Sequence, residues 1–145
     1  MYSRSIEIDA PADRVWAVMS DVERWHEWTP SVTKVTLSGS GPIGVGRRAT
    51  IRQPKFPPAL WKVTEIEPGR SFTWVSTAPF LRVVARHSVE ALSPSRTRAT
   101  LSLQYFGLLG GPLARWTKDI TLRYLDMEAE GLKARSVNPV YRHAP

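Results

Sequence analysis

The stretch "GPLARWTKDITLRYLDMEAEGLKA", Gly111 to Ala134, is apolar at helical spacing over an unusually wide arc. Leu113, Trp116, Ile120, Tyr124 and Met127 fall on one stripe with a period of about 3.6 residues, and Leu122, Leu125, Ala129 and Leu132 fall on a second, about 100° or more away. This pattern predicts one long helix, Pro112 to about Ala134, covered on more than one side. A curved sheet can grip a helix in that way. Residues 136–145, "SVNPVYRHAP", show no periodicity and are expected to fray.

Upstream of the helix the period is two. "SIEID" alternates Ile6 and Ile8 with Ser5, Glu7 and Asp9, predicting a first strand from Tyr2 to Asp9. From Ser31 to Tyr105, strands are expected at Val32 to Leu37, Arg47 to Gln53, Leu60 to Ile66, Ser71 to Ser76, Leu81 to Leu92 and Arg96 to Tyr105. The turns between them are short, with Pro68-Gly69 in "EPGR" and the "SPSR" stretch as examples, so an antiparallel meander is implied. Between the first strand and the meander lie two short helices. Pro11 suits a first helical turn, Asp13 its positive end, and Val15, Val18 and Met19 its apolar face. Asp21 can cap the second, Val22 to about Trp28, which Pro30 stops. Within it, "ERWHEWTPSV" (Glu23 to Val32) places Trp25 and Trp28 on one face.

Composition narrows the function classes. The 145 residues are 42% hydrophobic, enough for one domain with a real core, and no repeat or linker divides them. The absence of cysteine excludes disulfides and thiolate metal sites. Arg4, Glu7 and Asp9 sit where a signal peptide needs an apolar core, and the apolar run Tyr105 to Ala114 falls short of the roughly 20 residues a membrane span needs, so a soluble, cytoplasmic protein is expected. The net charge of +7 raises nucleic acid as a partner. Its basic residues fall singly except at Arg47-Arg48, which argues for a solvated strand face instead.

"IEIDAPADRVWAVMSDVERWHEW", "RQPKFPPALWKVTEIEPGRSFTW", "RHSVEALSPSRTRATLSL" and "TLRYLDMEAEGLKAR" resemble, in order and spacing, the START-like (SRPBCC) superfamily, particularly its polyketide cyclase/dehydrase-like branch. The resemblance runs from about Tyr2 to Arg135. It implies an α+β helix-grip fold, with a curved antiparallel sheet of about seven strands around a long C-terminal helix. It also implies a cavity for an apolar or amphipathic small molecule.

Strand alternation proposes the cavity lining independently. Ala49, Ile51 and Gln53, Trp61 and Val63, Phe72 and Trp74, His87 and Val89, and Thr97, Ala99, Leu101, Leu103 and Tyr105 should point inward. Arg48, Arg52, Arg86 and Arg98 should point to solvent. Strict alternation would send Glu65 inward, but Ile66 is the better core residue, so a bulge is expected to turn Glu65 out. A bent sheet leaves more concave surface than one helix fills, so Trp25 and Trp28 are expected to close one end, Trp28 above all. From the helix, Trp116, Ile120 and Tyr124 join the proposed lining. Trp16, Trp61, Trp74 and Trp116 are first of all core residues.

Little of this is catalytic chemistry. His87 could donate, accept or shuttle a proton on the cavity wall, while Tyr105, Tyr124 and Gln53 could orient a ligand. "GSGPIG", Gly39 to Gly44, matches a phosphate-loop pattern in letters only, because Pro42 and the strand after it deny it a helix N-terminus. His26, His87 and His143 lack metal-ligand spacing, no nucleophile elbow is present, and no cofactor is implied. Two readings stand. One is a binding protein for a hydrophobic small-molecule ligand. The other is a cyclase or dehydratase acting on a polyketide-like substrate, with His87 as acid/base. Exposed edge strands would permit a homodimer without specifying one.

Overall fold

The computed structural model describes residues 1–144. Its seven strands form a single antiparallel sheet in the order β1-β7-β6-β5-β4-β3-β2. They are β1 (Tyr2–Ile8), β2 (Lys34–Leu37), β3 (Arg48–Arg52), β4 (Ala59–Glu67), β5 (Ser71–Ala78), β6 (Leu81–Ser93) and β7 (Arg96–Phe106). The helices are α1 (Ala12–Ser20), a 3₁₀ helix (Val22–Glu27), α2 (Gly110–Trp116) and α3 (Lys118–Val137). The expected strands are all present with ends shifted by a residue or two, and the helix-grip architecture holds.

Cross-strand register explains which residues meet inside. Val63, Trp74, Ala85 and Leu103 lie in one row across β4 to β7, and Phe72, His87 and Leu101 in the next. Facing partners in an antiparallel sheet share a side, so one alternating pattern builds a continuous apolar floor. The register shifts twice, between Val63 and Glu65 and between Ala91 and Ser93. Such bulges bend the strands that carry them. The first leaves Glu65 in solvent and Ile66 partly buried, as the competition between those two side chains predicts.

The C-terminal helix departs from the single rod expected over Pro112 to Ala134. It breaks at Thr117, whose backbone leaves helical geometry (φ −99°, ψ 12°) and whose hydroxyl donates to the Leu113 carbonyl at 2.7 Å. A threonine bonded back onto the preceding turn bends a helix. The stripe therefore does not keep its phase across the break: Trp116 is 86% exposed, and it is neither a core residue nor part of the cavity. Asp21 stands at the expected N-cap position and its carbonyl accepts from the Arg24 amide at 3.1 Å, but its side chain makes no capping hydrogen bond and instead pairs with Arg24 at 3.4 Å.

The 3₁₀ helix and α3 are clamped together. A Cβ on Gly131 would overlap the Trp28 carbonyl oxygen and lie 2.9 Å from its carbon, so only glycine allows this approach. One turn on, Arg135 donates to Glu27 at 2.7 Å, each side chain being only 13% exposed. From the stretch after α3, Tyr141 and His143 reach the same contact, while Pro145 lies outside the described residues. Arg135 also donates to the Tyr141 carbonyl at 2.7 Å, and the His143 amide donates to the Glu27 carbonyl at 3.3 Å.

Gly131→Ala is expected to lower unfolding stability in urea by about 2 kcal/mol or more, because overpacking outweighs the gain in helix propensity. Gly111→Ala, where an added Cβ meets nothing, should instead be neutral or stabilising by up to about 1 kcal/mol.

Candidate functional site

A cavity of about 340 Å³ opens between the concave face of the sheet, the 3₁₀ helix and the α2–α3 pair. It lies within the range of about 300–1,000 Å³ typical of small-molecule sites. Of the residues expected to line it, Trp25, Ile51, Gln53, Trp61, Trp74, His87, Leu103, Tyr105 and Tyr124 do so. Trp28, Trp116 and Ile120 do not.

The lid comes from Trp25. Its indole N–H donates to the Met19 carbonyl at 2.9 Å, fixing the ring over the sheet, with its centroid 5.4 Å from that of Trp74 and 5.3 Å from that of His87. Residues three apart eclipse on a 3₁₀ helix, so Trp28 would share this face if the helix continued. It does not, because Trp28 is the C-terminal cap (φ −125°, ψ −6°), outside the helical turn. Trp28 is instead a buried core residue, its ring centroid 5.8 Å from that of Trp25, and it borders a small groove with Arg14, Arg24 and Arg135.

His87 sits in an aromatic box. Its ring stacks on Phe72 at 4.3 Å and 12° and meets the Trp74 ring edge-on at 5.6 Å. Burial pulls its pKa from 6.5 down to about 3, partly offset by the Phe72 backbone, and Nδ1 has no hydrogen-bond partner among the described residues. The imidazole is thus neutral at physiological pH. It is too weak a base to hold an abstracted proton there.

Glu128, on α3, is the one titratable lining residue among the described residues that the sequence reading misses. Part of its surface faces the cavity, and protein surrounds the rest. Burial alone raises its pKa from 4.5 to about 7. Its signal lay in the sequence: Thr121, Leu125, Glu128 and Leu132 recur at helical spacing, and three of these are buried. A charged residue inside an apolar stripe is the anomaly to look for.

The remaining polar groups are distributed around the wall. Tyr105 and Thr121 share a hydroxyl contact at 3.3 Å, Tyr124 donates to the Pro54 carbonyl, and Gln53, Ser76, Ser102 and Thr117 complete the set. No group of His, Asp and Glu side chains able to hold a metal ion occurs among the described residues, and no helix is long and apolar enough to cross a membrane.

The family profile described as polyketide cyclase / dehydrase and lipid transport matches residues 2–136. The chain belongs to this family. Solved structures share the fold at low identity. The Zhui aromatase/cyclase from Streptomyces sp. R1128 superposes with a TM-score of 0.77 at 17% identity, covering 96% of this chain and 94% of that one. A hypothetical protein from Helicobacter pylori gives 0.79 at 18%, covering 92% and 86%. Norcoclaurine synthase from Thalictrum flavum, in complex with a transition-state analogue, gives 0.75 at 16%, covering 95% and 94%. Among curated proteins, none matches the sequence. Within the family fold, this chain's own cavity residues must therefore carry any statement about its chemistry.

His87 and Glu128 should set opposite pH dependences of stability. The depressed pKa of His87 gives a contribution present above about pH 6.5 and lost as the pH falls toward about 3. His87→Phe should therefore remove about 3 kcal/mol of the loss that wild type suffers between about pH 7 and pH 4. The raised pKa of Glu128 favours folding below about pH 4.5 and disfavours it increasingly up to about pH 7. Glu128→Gln should then gain on the order of 2 kcal/mol over wild type at about pH 8 relative to about pH 4.5, after allowance for partial exposure. Urea unfolding across this pH range measures both.

Proposed function

We propose that this protein binds an apolar or amphipathic small molecule, lipid- or polyketide-like in character, inside the cavity between the sheet and the C-terminal helices. The observation that supports this most directly is the wall itself. Trp25, Trp61, Trp74, Leu101 and Leu103 offer apolar surface around a space large enough for a small organic molecule, with few polar groups among them. Burying a ligand against such a wall gains roughly 25 cal/mol for each Å² of apolar surface removed from water. No reacting group is needed. Family membership, with lipid transport in its description, points the same way.

Catalysis of the cyclase or dehydratase type is the second reading, with His87 as the acid/base. The fold shared with the Zhui aromatase/cyclase and the position of His87 on the wall favour it. The low basicity of His87 weighs against it, since an effective acid/base group has a pKa near the working pH. Binding is therefore the reading we adopt.

The neutral dye Nile red, whose fluorescence rises in apolar surroundings, tests this reading. Wild type should enhance and saturate. Val83→Trp, which adds bulk at a half-buried cavity position, should bind at least about tenfold more weakly while its circular dichroism stays unchanged. Equal binding by a folded Val83→Trp variant would place the dye elsewhere and defeat the proposal. Native mass spectrometry of protein taken from its own host then identifies what the cavity carries.

A further inference from the structure

The charge distribution inside the cavity is the reverse of that on the surface. Of the 20 lysines and arginines in the chain, none lines the cavity, and Glu128 is the only carboxylate among the described residues that does. The ion pairs among the described residues, from Arg4 with Asp126 to Arg142 with Glu27, do not include it. The titratable groups that share the cavity are His87 on β6, Tyr105 on β7 and Tyr124 on α3. None of these is a cation at neutral pH: His87 is held neutral, and the tyrosines carry no positive charge in either state. The described residues thus supply no counter-ion to Glu128.

A carboxyl group placed in an apolar cavity without a partner is costly, and a ligand that brings the missing charge relieves that cost. The surrounding wall favours a cation a second time. Trp25, Trp61 and Trp74 cluster on it, with the Trp74 centroid 5.4 Å from that of Trp25 and 6.0 Å from that of Trp61. Indole faces attract organic cations, most strongly when water is excluded. A ligand carboxylate or phosphate would meet Glu128 and no cation, so the same cavity disfavours anions.

Resting on the binding function proposed above, we propose that the ligand class is an apolar or aromatic amine, whose ammonium group pairs with Glu128 while its apolar body lies against the indoles. The ammonium keeps its proton on binding. Glu128, which is partly protonated near neutral pH because of its burial, is driven to the carboxylate and gives its proton to the buffer. Neutral ligands lack this linkage, and one that accepts a hydrogen bond from protonated Glu128 would draw a proton in.

Tryptamine and its alcohol counterpart tryptophol, similar in shape and different in charge, make the test. Calorimetric titration of the full-length protein near pH 7, in two buffers of different ionisation enthalpy, counts the protons exchanged. Tryptamine is expected to bind at least about tenfold more tightly than tryptophol and to release about half a proton. Its affinity should rise from about pH 6 to about pH 8. In Glu128→Gln the release should vanish and the preference for the amine should disappear, while tryptophol still binds, which shows that the variant is folded. Equal affinities with no proton release, or proton uptake on binding, would overturn the assignment of an amine and leave the cavity as a binding site. Failure of both compounds and of Nile red to bind would overturn the binding function and this inference together.

Discussion

The close approach of α3 to the 3₁₀ helix at Gly131 is the contact on which the rest of the structure depends. A side chain there would collide with the Trp28 backbone. Because none is present, the helix end lies directly against the segment that carries Trp25, and the half-buried pair of Arg135 with Glu27 fixes the alignment one turn away. Arg135 foremost, with Arg142 and Arg24 adding to it, holds the Glu27 carboxyl below its ordinary pKa of 4.5, against the opposing effect of burial. Partial burial with good geometry makes such a pair more consequential than an exposed one. The result is a lid segment held at both ends, by Met19 through the indole of Trp25 and by α3 through Trp28 and Glu27.

Fixing the lid is what allows an apolar cavity to exist without collapsing. Protein interiors ordinarily pack to crystal-like density, and a void among large side chains persists only where the surrounding elements cannot close on it. Here the bulged strands hold the sheet bent, the break at Thr117 lets α2 and α3 follow two directions, and Trp25 bridges from the lid to Phe72 and Trp74. The same enclosure shifts the two ionisable groups of the wall in opposite directions, His87 down and Glu128 up. Both shifts have one cause: burial disfavours the charged form of either group.

Much of this was legible in the sequence because strands advertise their two faces. Alternation along "RHSVEAL" and "RTRATLSLQY" places His87, Leu101, Leu103 and Tyr105 on the concave side, and the competition between Glu65 and Ile66 foretells the first bulge. The helical features were less legible. A stripe drawn through Leu113, Trp116, Ile120 and Tyr124 presumes an unbroken helix, and the hydroxyl of Thr117, which breaks it, leaves no trace in hydrophobic periodicity. Trp28 was misplaced for a related reason, since sequence spacing does not reveal where a 3₁₀ turn ends. Glu128 was missed because a charged residue is ordinarily assigned to solvent. The contacts of Tyr141 and His143 with Arg135 and Glu27 left no trace in the sequence because those partners are set by the fold and not by local pattern.

Sorting charge by location changes what the net charge of +7 means. Arg48, Arg52, Arg86 and Arg98 are exposed on alternate positions of their strands, opposite in direction to the cavity-facing residues between them. The positive charge is therefore a property of the outer surface, spread along separate strands, where mobile ions screen it over about 10 Å. The cavity experiences little of it and is governed by its own few polar atoms. The fold itself is shared at 16–18% identity with other solved structures. A likeness of fold does not determine whether the groups facing inward are acids, bases or neither; in this chain that is set by single side chains such as Glu128 on α3, whose carboxyl burial holds toward its neutral form.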